Sequence, residues 1–210
     1  MTGRPYAATM DLRWALVAPA YLLGTFPTAL LVGRREGRDP TTEGSGNPGA
    51  SNALRTMGAR AGATVLLGDL GKGVVATGGG WLVGGKAVGV ACGLAAVAGH
   101  VFPVTRRFRG GKGVATAAGM AVVLLPLPSL VLACLWGLVL KVTRVSAVAS
   151  LTIAVALPAA AALAGSPGWE IGALAASSVL VVIRHRDNIG RLRRGEEAAL
   201  GGRSGRTSSR

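Results

Sequence analysis

The side chains of this chain that can do chemistry crowd into three short polar stretches: Gly44 to Arg55 (GSGNPGASNALR), Gly99 to Thr116 (GHVFPVTRRFRGGKGVAT) and Arg184 to Glu197 (RHRDNIGRLRRGEE). In the first, Gly44, Gly46 and Gly49 permit turns that expose backbone N–H groups. Ser45, Asn47, Ser51 and Asn52 add side-chain hydrogen bonding, and Arg55 adds a forked, fixed cation. Such a loop suits a phosphate or an acyl oxyanion, although a Gly/Ser/Asn turn between two membrane helices has the same composition. In the second, Gly110, Gly111, Lys112 and Gly113 stand directly before a long apolar helix. There, glycine N–H groups, the positive end of the helix dipole and a lysine form a phosphate cradle. A nucleotide P-loop does not fit, because that pattern requires Gly at Arg106 and Ser or Thr at Gly113. In the third, Arg184, His185, Asn188 and Arg191 recur at helical spacing and can share one face. His185 can accept a proton near neutral pH, and Asn188 can orient it or donate to a developing oxyanion. An interfacial histidine among snorkelling arginines reads the same way when this stretch is taken alone.

The elements that must position these groups are apolar. Half of the 210 residues are hydrophobic, and they fall in long runs rather than amphipathic stripes. Trp14 to Val32 carries no ionisable side chain and is long enough to cross a hydrocarbon layer of roughly 30 Å. A signal peptide is the competing reading, but the run exceeds the usual h-region and is followed by Gly33, Arg34 and Arg35 rather than a cleavage site. Further runs extend from Ala61 to Val83, Lys86 to Val104, Gly113 to Leu140, Ser146 to Ala164 and Trp169 to Ile183. Gly85, Gly89 and Gly93 recur every fourth residue, with Gly80 and Gly84 before them. They offer either close helix approach or glycine merely tolerated in lipid.

The net charge of +14 raises the possibility of nucleic acid, but its distribution argues against that partner. Arg34, Arg35, Arg38, Arg55 and Arg60 follow the first run, and Arg106, Arg107, Arg109 and Lys112 follow the third. Cations clustered at helix ends set cytoplasmic orientation. Two cysteines within apolar runs exclude a disulfide framework, and two histidines without a paired acidic motif give no metal site. Placing the three stretches on one side decides the topology. Pro126 and Pro128 split the run after Gly113, which predicts an all-α, polytopic membrane helix bundle of seven transmembrane helices, N-terminus out and C-terminus in. A five-pass variant keeps the same sidedness. Residues 1–200 are expected to form one membrane domain and 201–210 a disordered basic tail.

Taken together, the stretches resemble the three motifs of the bacterial membrane glycerol-3-phosphate acyltransferases that use acyl phosphate as donor. The family patterns GSGNxGATNxxR, GHxFPVFxxFxGGKGVAT and RHxxNIxRLxxGxE are matched in order, with Ser51 in place of Thr and Thr105 in place of Phe. Asp69 and Lys72 resemble a DxxKG segment, and Thr41 stands where many relatives have Arg. The resemblance implies a plasma-membrane enzyme with its active site toward the cytoplasm. It would transfer a fatty acyl group from acyl phosphate to the 1-hydroxyl of sn-glycerol 3-phosphate and give 1-acylglycerol 3-phosphate and phosphate. No cofactor is implied; the partners are the two substrates and membrane lipid. Ser45, Arg55, His185 and Asn188 are the implied catalytic residues. Gly44, Gly46, Asn47, Asn52, Gly110, Gly111, Lys112, Gly113, Thr116 and Arg184 are the implied substrate-binding residues. His185 either takes the hydroxyl proton or organises the site while the donor phosphate takes it, and Glu197 is expected to be structural, paired with a nearby Arg. An acyl-enzyme on Ser45 is disfavoured because acyl phosphate is already activated. A small anion transporter is the rival class, but no inverted repeat is visible and the polar stretches lie at one face rather than at mid-membrane.

Overall fold

Proline and glycine divide the apolar runs into helices. The computed structural model describes residues 12–200, which are helical throughout apart from the connections. The expected basic tail at 201–210 lies outside the described residues. A 3-10 turn at Leu12–Leu16 leads into α1 (Val17–Gly24), and α2 follows at Thr28–Arg35. The run from Trp14 to Val32, expected to be a single helix, is therefore broken at Thr25 to Pro27. Pro27 has no N–H to continue the ladder, and it disfavours helical geometry at Phe26. Leu12–Arg35 is nevertheless one apolar segment long enough to cross a membrane.

The next helix, α3 (Ala50–Gly84), is broken at Gly58, whose φ of +88° is open to glycine and strained for other residues. The arm before the break folds back on the shaft after it: a Cβ placed on Gly62 would stand 2.8 Å from Leu54 Cβ. Ala53 in the arm, Val65 in the shaft and Ala29 of α2 bury together. This hairpin carries the first polar stretch back over the bundle. The remaining helices are α4 (Lys86–Val101), α5 (Val114–Leu124), α6 (Pro126–Thr143), α7 (Ser146–Leu163), α8 (Gly168–Arg184) and the short α9 (Arg186–Arg193). The split expected at Pro126 is present. Pro126 opens α6, where a missing N–H removes no helical bond.

Among the described residues, four segments are long and apolar enough to cross a membrane: Leu12–Arg35, Lys86–Arg106, Pro126–Thr143 and Ser146–Leu163. Helices approach closely where small residues face backbone. A Cβ on Gly24 would stand 2.1 Å from Ala96 O, one on Gly99 2.1 Å from Tyr21 O, and one on Gly73 2.1 Å from Thr116 O. A Cβ on Gly80 would stand 3.0 Å from Gly89 Cα, so the glycine-rich faces flanking Gly85 are contact surfaces between α3 and α4. Between α5, α6, α7 and α8, the buried side chains of Met120, Leu132, Leu157 and Leu174 form the main apolar core. At the end of the bundle where α4 and α8 begin, buried Glu170 pairs with Lys86 at 2.6 Å. The connections bearing the three polar stretches meet at the other end.

Candidate active site

Asn52, 2 % exposed, organises the first stretch from the arm of α3. Its Oδ1 accepts from Ser45 N at 2.8 Å, and its Nδ2 donates to Pro40 O and Glu43 O, each at 3.0 Å. Gly44 takes φ +62°, and a Cβ there would collide with Asn52 Oδ1 at 2.3 Å. The amide of Asn52 is thus committed to the loop it shapes. Outside that loop, Arg38 pairs with Glu43 at 2.7 Å. Asp39 accepts from the Thr41 hydroxyl and amide, which hold its carboxyl below the usual range. Thr41, where relatives carry Arg, serves the fold of the loop.

The second and third stretches are bonded to each other. Lys112 Nζ donates to Asn188 Oδ1 at 2.5 Å, Asn188 Nδ2 donates to Glu197 Oε1 at 2.6 Å, and Arg191 Nε donates to Glu197 Oε2 at 2.7 Å. Glu197 thus pairs with Arg191 and also fixes which face of the Asn188 amide meets Lys112. Arg184 reaches back from the end of α8, donating from Nε to Gly111 O at 3.3 Å and from a terminal nitrogen to Gly110 O at 3.2 Å. Gly113, at φ +85°, starts α5 and leaves the amides of that first turn facing the loop.

His185 is 2 % exposed, and its Nδ1 lies 2.8 Å from Val181 O. A carbonyl accepts only, so Nδ1 carries the proton and Nε2 keeps its lone pair. Burial pushes the imidazole pKa down to about 4, with Lys112 and Arg184 adding to the effect. Burial likewise lowers Lys112 to about 8, opposed by the Glu197 carboxylate. A neutral imidazole and a readily deprotonated ammonium therefore stand in one site.

Both groups line a cavity of about 460 Å³. Its mouth is polar, with Ser45, Asn47, Arg55, Lys112, His185 and Asn188. Its depth is apolar, running between α3, α5, α6 and α7 past Leu66, Val122, Trp136 and Leu157. The chain after α9 crosses the mouth: Arg55 donates to Ala198 O at 3.3 Å and Leu200 N donates to Arg144 O at 2.7 Å. The structure brings most of the expected site residues to this cavity. Gly110, Gly111 and Arg184 lie behind it as the support of the Lys112 loop. Thr116 is placed differently, fully buried at the contact of α5 with Gly73 of α3. Reading by residue type missed His100, which also lines the cavity and stands 3.6 Å from Asp69. The available signal was the opposite charges of Asp69 and Lys72 one turn apart inside an apolar helix, an expensive arrangement unless it serves a site.

A helical bundle with membrane-length apolar segments, and a cationic mouth opening on an apolar cavity, is the build of an integral membrane protein with a site at one end of its bundle. The sequence model for glycerol-3-phosphate acyltransferases matches residues 14–195. The chain is 43% identical over 197 residues to a glycerol-3-phosphate acyltransferase of Thioalkalivibrio sulfidiphilus, covering 93% of this chain and 97% of that one. It is 45% identical over 193 residues to that of Pseudomonas aeruginosa, covering 88% and 97%. Its fold is similar to a crystal structure of PlsY (YgiH), an integral membrane glycerol 3-phosphate acyltransferase, in the glycerol 3-phosphate form. The TM-score is 0.86 at 34% identity, over 90% of this chain and 96% of that one. The lysophosphatidic acid form gives a TM-score of 0.84 at 33% identity, over 89% and 94%. The chain belongs to the glycerol-3-phosphate acyltransferase family.

Proposed function

We propose that the protein transfers a fatty acyl group from acyl phosphate to the 1-hydroxyl of sn-glycerol 3-phosphate. The observation that supports this reading is the Lys112–Asn188 bond at the mouth of an apolar cavity: a cationic glycine loop suited to phosphate stands beside an apolar space suited to an acyl tail. The backbone of Gly110 to Gly113 and Lys112 hold the glycerol phosphate. Ser45, Asn47 and Arg55, on the loop of Gly44 and Gly46 that Asn52 shapes, hold the acyl phosphate and the charge that develops at its carbonyl. Arg184 supports the Lys112 loop. The substrate hydroxyl oxygen attacks the carbonyl carbon, the bond from that carbon to the bridging phosphate oxygen breaks, and phosphate departs.

The hydroxyl proton goes to the departing phosphate. With a pKa of about 4, His185 is a weak base. A phosphate oxygen, with a second pKa of about 6, is the stronger base. His185 Nε2 and Asn188 then orient the hydroxyl. The acyl chain lies in the apolar depth, where each buried CH₂ contributes about 0.8 kcal/mol. On this reading residues 1–200 form one domain crossing the plasma membrane seven times, N-terminus out, with the site on the cytoplasmic side where the arginines cluster.

The deciding experiment offers purified protein acyl phosphate, acyl-CoA and acyl carrier protein thioester in turn, with glycerol 3-phosphate. Product is expected from acyl phosphate alone, and turnover only with a thioester would overturn the donor assignment.

A further inference from the structure

Three buried ionisable side chains take no direct part in the proposed transfer. Asp69 and Lys72 lie one turn apart in the shaft of α3, 2 % and 5 % exposed, with Lys72 Nζ donating to Asp69 Oδ1 at 2.6 Å. The same carboxylate oxygen stands 3.6 Å from Nδ1 of buried His100, in the last turn of α4. Ions removed from water cost several kcal/mol each unless well paired, and Lys72 supplies that pairing for Asp69.

The far side of the His100 ring meets the phosphate loop. Gly111 N donates to His100 O at 3.1 Å. A Cβ on Gly111 would stand 2.2 Å from His100 Nε2, and one on Gly110 would stand 2.1 Å from His100 O. The loop backbone therefore packs against the Nε2 edge of the ring and on the end of α4. Arg184 grips the carbonyls of the same two glycines, so the loop is held between an arginine and an imidazole, with Lys112 the next residue.

We infer that Asp69 and His100 are positioning residues for glycerol phosphate binding. Asp69 fixes the His100 ring, and the ring, seated under Gly111, sets where the loop backbone and Lys112 meet the substrate phosphate. Neither residue touches the reacting atoms; both act through the loop. The inference rests on the proposed assignment of that loop to glycerol phosphate.

Steady-state kinetics of the purified full chain, varying each substrate with the other saturating, test it. His100→Ala raises the KM for glycerol 3-phosphate about tenfold, with the KM for acyl phosphate within about twofold and kcat within about threefold. Asp69→Asn moves the same constant about threefold, and His100→Gln, which keeps a planar polar group under the loop, recovers part of the loss. In a Lys112→Ala background His100→Ala adds less than about twofold, because ring and lysine act as one unit. Gly111→Ala alone is as harmful as His100→Ala, yet it adds little once the ring is gone and its methyl has room. If Lys112→Ala raises the acyl phosphate KM instead, the loop assignment itself fails. If Lys112→Ala behaves as assigned, the inference is overturned by His100 and Gly111 variants that shift both KM values alike or multiply with Lys112→Ala. Should Asp69→Asn not give monodisperse protein, the His100→Gln and Gly111→Ala results decide.

Discussion

Lys112 Nζ and Asn188 Oδ1 are 2.5 Å apart although 76 residues separate them in the chain. The bond is charge-assisted and is extended through Glu197 to Arg191, so the ammonium is aimed before any substrate arrives. It joins the second polar stretch to the third, and it makes the state of one lysine the hinge of several expectations.

Alkaline pH should weaken glycerol phosphate binding. Below about 8 Lys112 is an ammonium, and as pH rises through that value the charge is lost, so kcat/KM for glycerol 3-phosphate falls toward tenfold per pH unit. Lys112→Arg keeps its charge throughout this range and should flatten the alkaline limb whatever its absolute rate. A pH profile at constant ionic strength checks this; a limb identical in both proteins would assign it elsewhere.

Asn52→Ala should damage the donor side. The substitution strands the buried Pro40 carbonyl, at a cost of about 1–3 kcal/mol, and removes the partly buried bonds that hold Ser45 N and the Glu43 carbonyl. Thermal unfolding in detergent should shift down by several degrees, and kcat/KM for acyl phosphate should fall by about two orders of magnitude. An unchanged acyl phosphate efficiency would separate this loop from the donor.

Gly73→Ala should loosen the bundle without touching the cavity mouth. Its methyl would meet backbone at Thr116 O, which cannot rotate away, and overpacking of this kind costs about 1–3 kcal/mol. Gly71→Ala, two residues earlier, meets nothing within 4 Å and should be neutral or slightly stabilising. Melting temperatures of the pair report the difference directly.

The polar stretches were legible because phosphate chemistry calls for Gly, Lys, Arg, Ser and Asn at close spacing, and apolar helices leave those types nowhere else to stand. Pro126 announced its break for a similarly local reason. Pro27 was equally visible, yet the uninterrupted apolar composition around it outweighed it. The fold-back at Gly58 was not legible, since one glycine among many shows no φ. Thr116 belonged to a matched motif but sits on a helix contact, because a motif records adjacency in sequence and not direction of a side chain. The His100–Asp69 approach joins two helices across 31 positions, and the His100–Gly111 contact is made by backbone and the Nε2 edge of a ring, which residue type does not encode.

The apolar depth of the cavity runs beside Leu66 and Val122, which line it and are nevertheless 41 % and 42 % exposed. On the proposed reading the donor enters sideways from the leaflet, and the acylated product leaves by the same route without crossing water. Occupancy of the site is then governed by how many donor molecules there are per lipid, not per litre. The apparent affinity for the donor should dilute with added inert lipid while that for glycerol phosphate stays fixed. One active site would thus answer to two kinds of concentration, one counted over a surface and the other in a volume.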